Sequence, residues 1–142
     1  MTPDDFLLVH VASTWALVGL IWMVQLVVYP GIADVGDAQL AGFHEQHCRR
    51  ITWVVGPLMG AELFSGIALL SEPAAGASVT LLWVGMGLVA LNWLCTGLVS
   101  VPLHAQLRVR DRARVESRLV STNWIRTLAW TARGPLVLML LD

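Results

Sequence analysis

The chain contains no lysine. All nine of its cationic residues are arginine, which reads as codon bias rather than chemistry. Charge of either sign is scarce, at 13% of residues against about 25% in an ordinary soluble domain. The net charge of −1 leaves no basic surface for a nucleic-acid partner. Only two cysteines occur, Cys48 and Cys95, in no CxxC and in no paired zinc-type spacing. That speaks against a disulfide-exchange enzyme, and both read as small buried hydrophobes. No Gly-rich phosphate loop, HExxH or GxSxG elbow is present, so nucleotide-dependent chemistry is set aside. The N-terminus, MTPDD, is acidic where a secretory leader would be basic, and the first apolar run is read as a retained span.

What the chain has in abundance is apolar length. Of 142 residues, 56% are hydrophobic. Four runs, 6–29, 51–71, 79–101 and about 122–141, each approach the ~20 residues that a bilayer core requires. Together they predict an all-α, integral-membrane, four-helix up-down bundle forming one domain over 1–142. Residues 37–50 add a short amphipathic helix before the second span, with Asp37 as its N-cap. Thr2-Pro3-Asp4 suits a helix start, Pro30-Gly31 a helix end, and Ser121 or Thr122 the cap of the fourth span. Arg49 and Arg50 stand in the first connection; Arg108, Arg110, Arg112, Arg114 and Arg118 stand in the third. The arginines of the third connection are placed to touch anionic lipid head groups. Positive loops stay cytoplasmic, so a multi-pass protein of the inner (plasma) membrane is expected, with both termini outside.

Polar residues recur inside these runs at helical spacing. His10, Thr14, Leu17, Ile21 and Gln25 form one stripe, with His10 read as capping polar groups near the outer surface. Asn123, Arg126, Thr127, Trp130 and Arg133 form another. Leu40, Phe43, His44, His47 and Ile51 share a face, and Asn92, Cys95 and Thr96 share a third-span face near Gly85, Gly87 and Gly97, which permit close helix contact. Tyr29 and Trp22 sit where interface aromatics often do. Such polar groups are costly in lipid and normally turn towards protein or a cavity. Glu62 and Arg133 both fall roughly 16 Å from the same ends of their spans, which predicts that they pair near the midplane with Asn92 close by. A second layer, of His44, His47, His104, Gln25, Asn123 and Arg126, gathers nearer the cytoplasm. Three histidines from two segments form a candidate site for iron, copper or zinc, although ferritin-like ExxH pairs are absent.

The four-span plan resembles the anthrone-oxygenase-like family of small membrane proteins. The residues that carry the likeness are Asn123-x-x-Arg126-Thr127 with Trp130, Tyr29-Pro30 and Pro102-Leu103-His104. The resemblance implies an oxygenase acting on an aromatic, polyketide-like substrate without a recognised nucleotide cofactor, with Asn123 and Arg126 as site residues. His44, His47 and His104 are added from their stripe. The leading expectation is therefore a membrane oxidoreductase that holds a hydrophobic aromatic or quinone-like molecule between its helices. Asn123, Arg126 and the three histidines would be catalytic, with Glu62, Asn92, Trp130 and Arg133 around the ligand. The competing expectations are an accessory subunit of a larger membrane complex, or a small transporter working through Glu62 and Arg133 as a homo-oligomer.

Overall fold

The structure, a computed structural model, describes residues 1–106 and 112–141. Among these there are four long helices and no strand: α1 (Pro3–Ala33), α2 (Asp37–Ser71), α3 (Val79–Gln106) and α4 (Arg112–Leu138). The first three are long and apolar enough to cross a membrane, and the chain is a multi-pass membrane protein. The arginines at 108 and 110 lie outside the described residues.

The helices form a four-cornered bundle. α1 packs on α2 and α4, and α3 on α4, while α2 and α3 form the sparsest of the four side-by-side seams. α2 and α4 thus face each other across a diagonal. The large apolar side chains left outside, such as Trp53, Phe64, Trp83 and Leu98, form the belt that lipid would cover. The polar stripes point inward. His10, Thr14, Gln25, Glu62, Asn92, Asn123, Thr127 and Arg133 are all at most 4% exposed, whereas Ile125 and Leu128 on the other side of α4 are 48% and 60% exposed. This inversion of the soluble pattern follows from the solvent: in lipid the apolar face is the cheap one to expose.

Helix ends differ from the sequence expectation in instructive ways. Thr2 caps α1 through a reciprocal capping box with Asp5. Pro30-Gly31, however, does not end α1, which runs on to Ala33. Five residues of wide, π-type turn, Val24–Val28, lie just ahead of Tyr29-Pro30. The same arrangement recurs in α3, where Thr96–Ser100 is wide and Val101-Pro102 follows. A proline ring collides with the carbonyl four residues back; widening the turn that holds that carbonyl lets the helix continue.

The amphipathic stretch 37–50 is no separate helix either. It runs unbroken through Pro57 to Ser71, with Gly36 rather than Asp37 at the N-cap. Phe43 is turned outward from the face it was expected to share. Ser121 and Thr122 do not cap the fourth span; their hydroxyls bond back to the Arg118 carbonyl inside α4.

At this end of the bundle Arg112 joins three segments. Its guanidinium meets Asp37, bonds Glu116 at 2.7 Å, and donates to the Ile32 and Ala33 carbonyls at 3.0 and 2.9 Å. It thereby satisfies carbonyls at the C-terminus of α1. The carboxylates of Glu116 and Asp37 push its already high pKa further up.

Of the three glycines expected at close helix contact only Gly85 is closely approached, and Gly66 and Gly134 join it. Gly87 and Gly97 face open space, while Gly85 meets the Arg133 guanidinium. A side chain at Gly66 would collide with Met86 and His10, and one at Gly134 would press on the Trp15 ring.

Candidate functional site

Two polar layers occupy the bundle interior, each centred on an arginine of α4. The first contains the expected Glu62–Arg133 pair, Nε to Oε1 at 2.9 Å, with both side chains at most 1% exposed. It spans the α2–α4 diagonal and collects every other helix. Thr14 of α1 donates to Glu62 Oε1 at 3.0 Å, and Trp130 Nε1 donates to Oε2 at 3.2 Å. Arg133 also donates to the Gly85 carbonyl of α3, to Thr14 Oγ1 at 3.1 Å, and to His10 Nε2 at 3.0 Å.

The tautomer of His10 follows from its partners. Ser65 Oγ gives its single proton to the Ala61 carbonyl at 2.6 Å, so it can only accept from His10 Nδ1 at 2.9 Å. His10 Nδ1 therefore carries the hydrogen, and Nε2 is the lone pair that Arg133 meets. His10 is thus a member of this layer rather than a cap at the outer surface. A buried ion pair so fully surrounded by correctly oriented donors and acceptors is what keeps the two charges tolerable away from water.

The second layer lies towards the arginine-bearing connections. Asn123 Nδ2 donates to Gln25 Oε1 at 2.7 Å, and Gln25 Nε2 reaches the Val120 carbonyl at 3.4 Å. Arg126 Nη1 donates to Ser100 Oγ at 3.1 Å and to Asn123 Oδ1 at 3.4 Å. Gln25 and Ser100 each lie in one of the two wide turns, which bring both to the interior. The Arg126 guanidinium carbon stands 5.2 Å over the Trp130 ring. Trp130 therefore touches both layers, with its N–H on Glu62 and its face on Arg126.

Unlike Arg133, Arg126 meets no carboxylate among the described residues. Among the described residues no ion pair includes it, and its Nε has no hydrogen-bond partner. It borders a cavity of about 720 Å³ between α1, α2, α3 and α4. Most of the wall is apolar, including Leu17, Ile21, Val24, Ile51, Met59, Trp93 and Trp130. The polar groups cluster at one end: Tyr29, His44, His47, Cys48, Ser100, His104 and Arg126. A largely apolar cleft with a few convergent polar groups is the usual form of a small-molecule site.

At that end His44 Nε2 lies 2.9 Å from His104 Nδ1, with the rings stacked at a centroid distance of 5.0 Å. Cys48 Sγ is 3.6 Å from His44 Nε2. His47 also borders the cavity, but the third group brought to the two histidines is the thiol, one helical turn after His44. Asn92 is fully buried and its side-chain amide has no hydrogen-bond partner among the described residues, the Glu62–Arg133 pair included. Since Arg133 reaches Gly85 and Arg126 reaches Ser100, Asn92 is placed between the two layers.

The structure therefore gathers Arg126, Asn123, His44, His47, His104 and Trp130 around or beside one cavity. Glu62 and Arg133 belong to the separate, closed layer. Sequence reasoning passed over Cys48, Tyr29 and Ser100 as site residues. Cys48 was legible as the i+4 neighbour of His44 on one helical face, and Tyr29 and Ser100 became legible only with the wide turns. Comparison with protein-family models, with curated proteins and with solved structures found no match to this chain.

Proposed function

We propose that this protein is a membrane-embedded, oxygenase-like oxidoreductase that takes an aromatic or quinone-like molecule carrying an acidic hydroxyl or carbonyl oxygen. The observation that carries the reading is the buried, uncompensated guanidinium of Arg126 at the polar end of an apolar cavity. A cation held in that way is complementary to a ligand oxyanion, since the negative charge is what the site lacks. The apolar walls, with Trp93 and Trp130, suit flat hydrophobic rings that partition from lipid. The histidine pair stands in the same wall and is placed to accept the proton that such a hydroxyl gives up, leaving the oxyanion to Arg126. The family resemblance of Asn123-x-x-Arg126-Thr127 supports the same assignment of roles.

The test uses the whole chain in detergent micelles and 2-hydroxy-1,4-naphthoquinone, a hydroxyquinone that is anionic at neutral pH. Saturable quenching of tryptophan fluorescence is expected, weakened in Arg126→Gln by about 10- to 100-fold, the range for a hydrogen bond to a charged group. Equal quenching of the variant and the wild type would remove Arg126 from the site and the reading with it.

A further inference from the structure

We infer that His44, Cys48 and His104 form a transition-metal site of the two-histidine, one-thiolate kind, taking zinc or copper, with an open position towards the cavity. His44 and Cys48 are one turn apart on α2 and present their donors on the same face, while His104 enters from α3 across the loosest seam of the bundle. The donor atoms lie within 4.8 Å of one another.

Their spacing suits an ion. Zinc–nitrogen bonds of ~2.05 Å and zinc–sulfur bonds of ~2.3 Å at a tetrahedral angle put nitrogens about 3.3 Å apart and nitrogen about 3.6 Å from sulfur. The two imidazole nitrogens are 2.9 Å apart, and Cys48 Sγ is 3.6 Å from His44 Nε2. Opening the imidazole pair by a few tenths of an ångström completes the fit. The contact between the rings is itself informative, because two imidazole nitrogens at that distance must share one hydrogen. An ion entering between them takes the place of that hydrogen, each ring carrying its proton on the nitrogen that faces away.

The donor set excludes magnesium and calcium, which require oxygen. Imidazole with thiolate is the preference of zinc and copper, and a trigonal two-histidine, one-cysteine set is the copper-thiolate arrangement. Three protein ligands leave a coordination position, as catalytic sites do. On the cavity side that position lies in the same wall as Arg126. Loading ionises the Cys48 thiol and releases one proton per ion. Metal binding does not depend on the hydroxyquinone reading, since Arg126 supplies no ligand atom to it; in the loaded protein the two histidines are ligands and no longer serve as the proton acceptor.

The experiment is metal titration of the chelator-stripped full chain in micelles, with Co(II) standing in for zinc and Cu(II) added separately. One equivalent per chain is expected, with a thiolate-to-metal absorption band and release of one proton. Cys48→Ser should abolish the band, and His104→Ala should weaken binding by at least about 10-fold. Cys95→Ser should leave both unchanged, while His47→Ala and Arg126→Gln should still bind one equivalent and keep the band. Elemental analysis of protein purified without chelator then tells zinc from copper. The proposal is overturned if wild-type protein with intact helical circular dichroism binds no ion beyond the micelle blank. Binding that persists undiminished in Cys48→Ser and His104→Ala would overturn it equally.

Discussion

Arg126 and Arg133 stand two turns apart on the same face of α4, in the same bundle, yet their surroundings are opposite. Arg133 meets Glu62, Thr14, His10 and the Gly85 carbonyl, so its charge and most of its donors are engaged. Arg126 has a hydroxyl, an amide oxygen and an aromatic face, but no anion among the described residues, and it borders the cavity. The lesson is that burial alone does not identify a site in a membrane bundle, because structural charges are buried too. Unused hydrogen-bonding capacity beside a void is what marks Arg126 as the candidate.

The sharpest way to break this contrast is to remove a charge from the closed layer. Glu62→Ala or Arg133→Ala leaves its partner buried and unpaired and should cost about 3–5 kcal/mol, read as loss of folded protein and a large fall in melting temperature in detergent. Exchanging the two residues should restore only part of this, because Trp130 and Thr14 donate towards position 62 and the Gly85 carbonyl accepts from position 133. Arg126→Gln should separate the layers: about 1.5–3 kcal/mol lost from hydroxyquinone binding, with the melting temperature nearly unchanged.

Trp130→Phe tests the residue that touches both. It deprives Glu62 Oε2 of its donor but keeps an aromatic face for Arg126, so a stability loss of about 1–2 kcal/mol should come with a smaller change in binding. Leu128→Val, on the outward face of the same helix, should stay within about 0.5 kcal/mol in stability and leave binding untouched. A large effect there would mean that the face of α4 assigned to the exterior is covered by something other than lipid.

Much of this architecture was legible in the chain. The polar residues of 123–133 fall on one helical face because the cost of a polar group in lipid leaves few alternatives. Matching depths brought Glu62 to Arg133 for the same reason. The wide turns are not legible, since no residue type specifies them; their trace is a proline inside an apolar run, which by itself signals a helix end. The closed layer was underestimated at His10, because a lone histidine near a helix start has several inexpensive partners and periodicity does not rank them. Composition treats the Cys48 thiol as a hydrophobe, and only the next helix shows the histidine that is brought beside it.

The diagonal bridge between α2 and α4 has a consequence for biogenesis. Its two members are separated by 71 positions, so the acidic one is synthesised well before the basic one. A chain halted after three helices carries a stranded carboxyl group in its centre, and the arrival of the fourth closes the assembly as a latch.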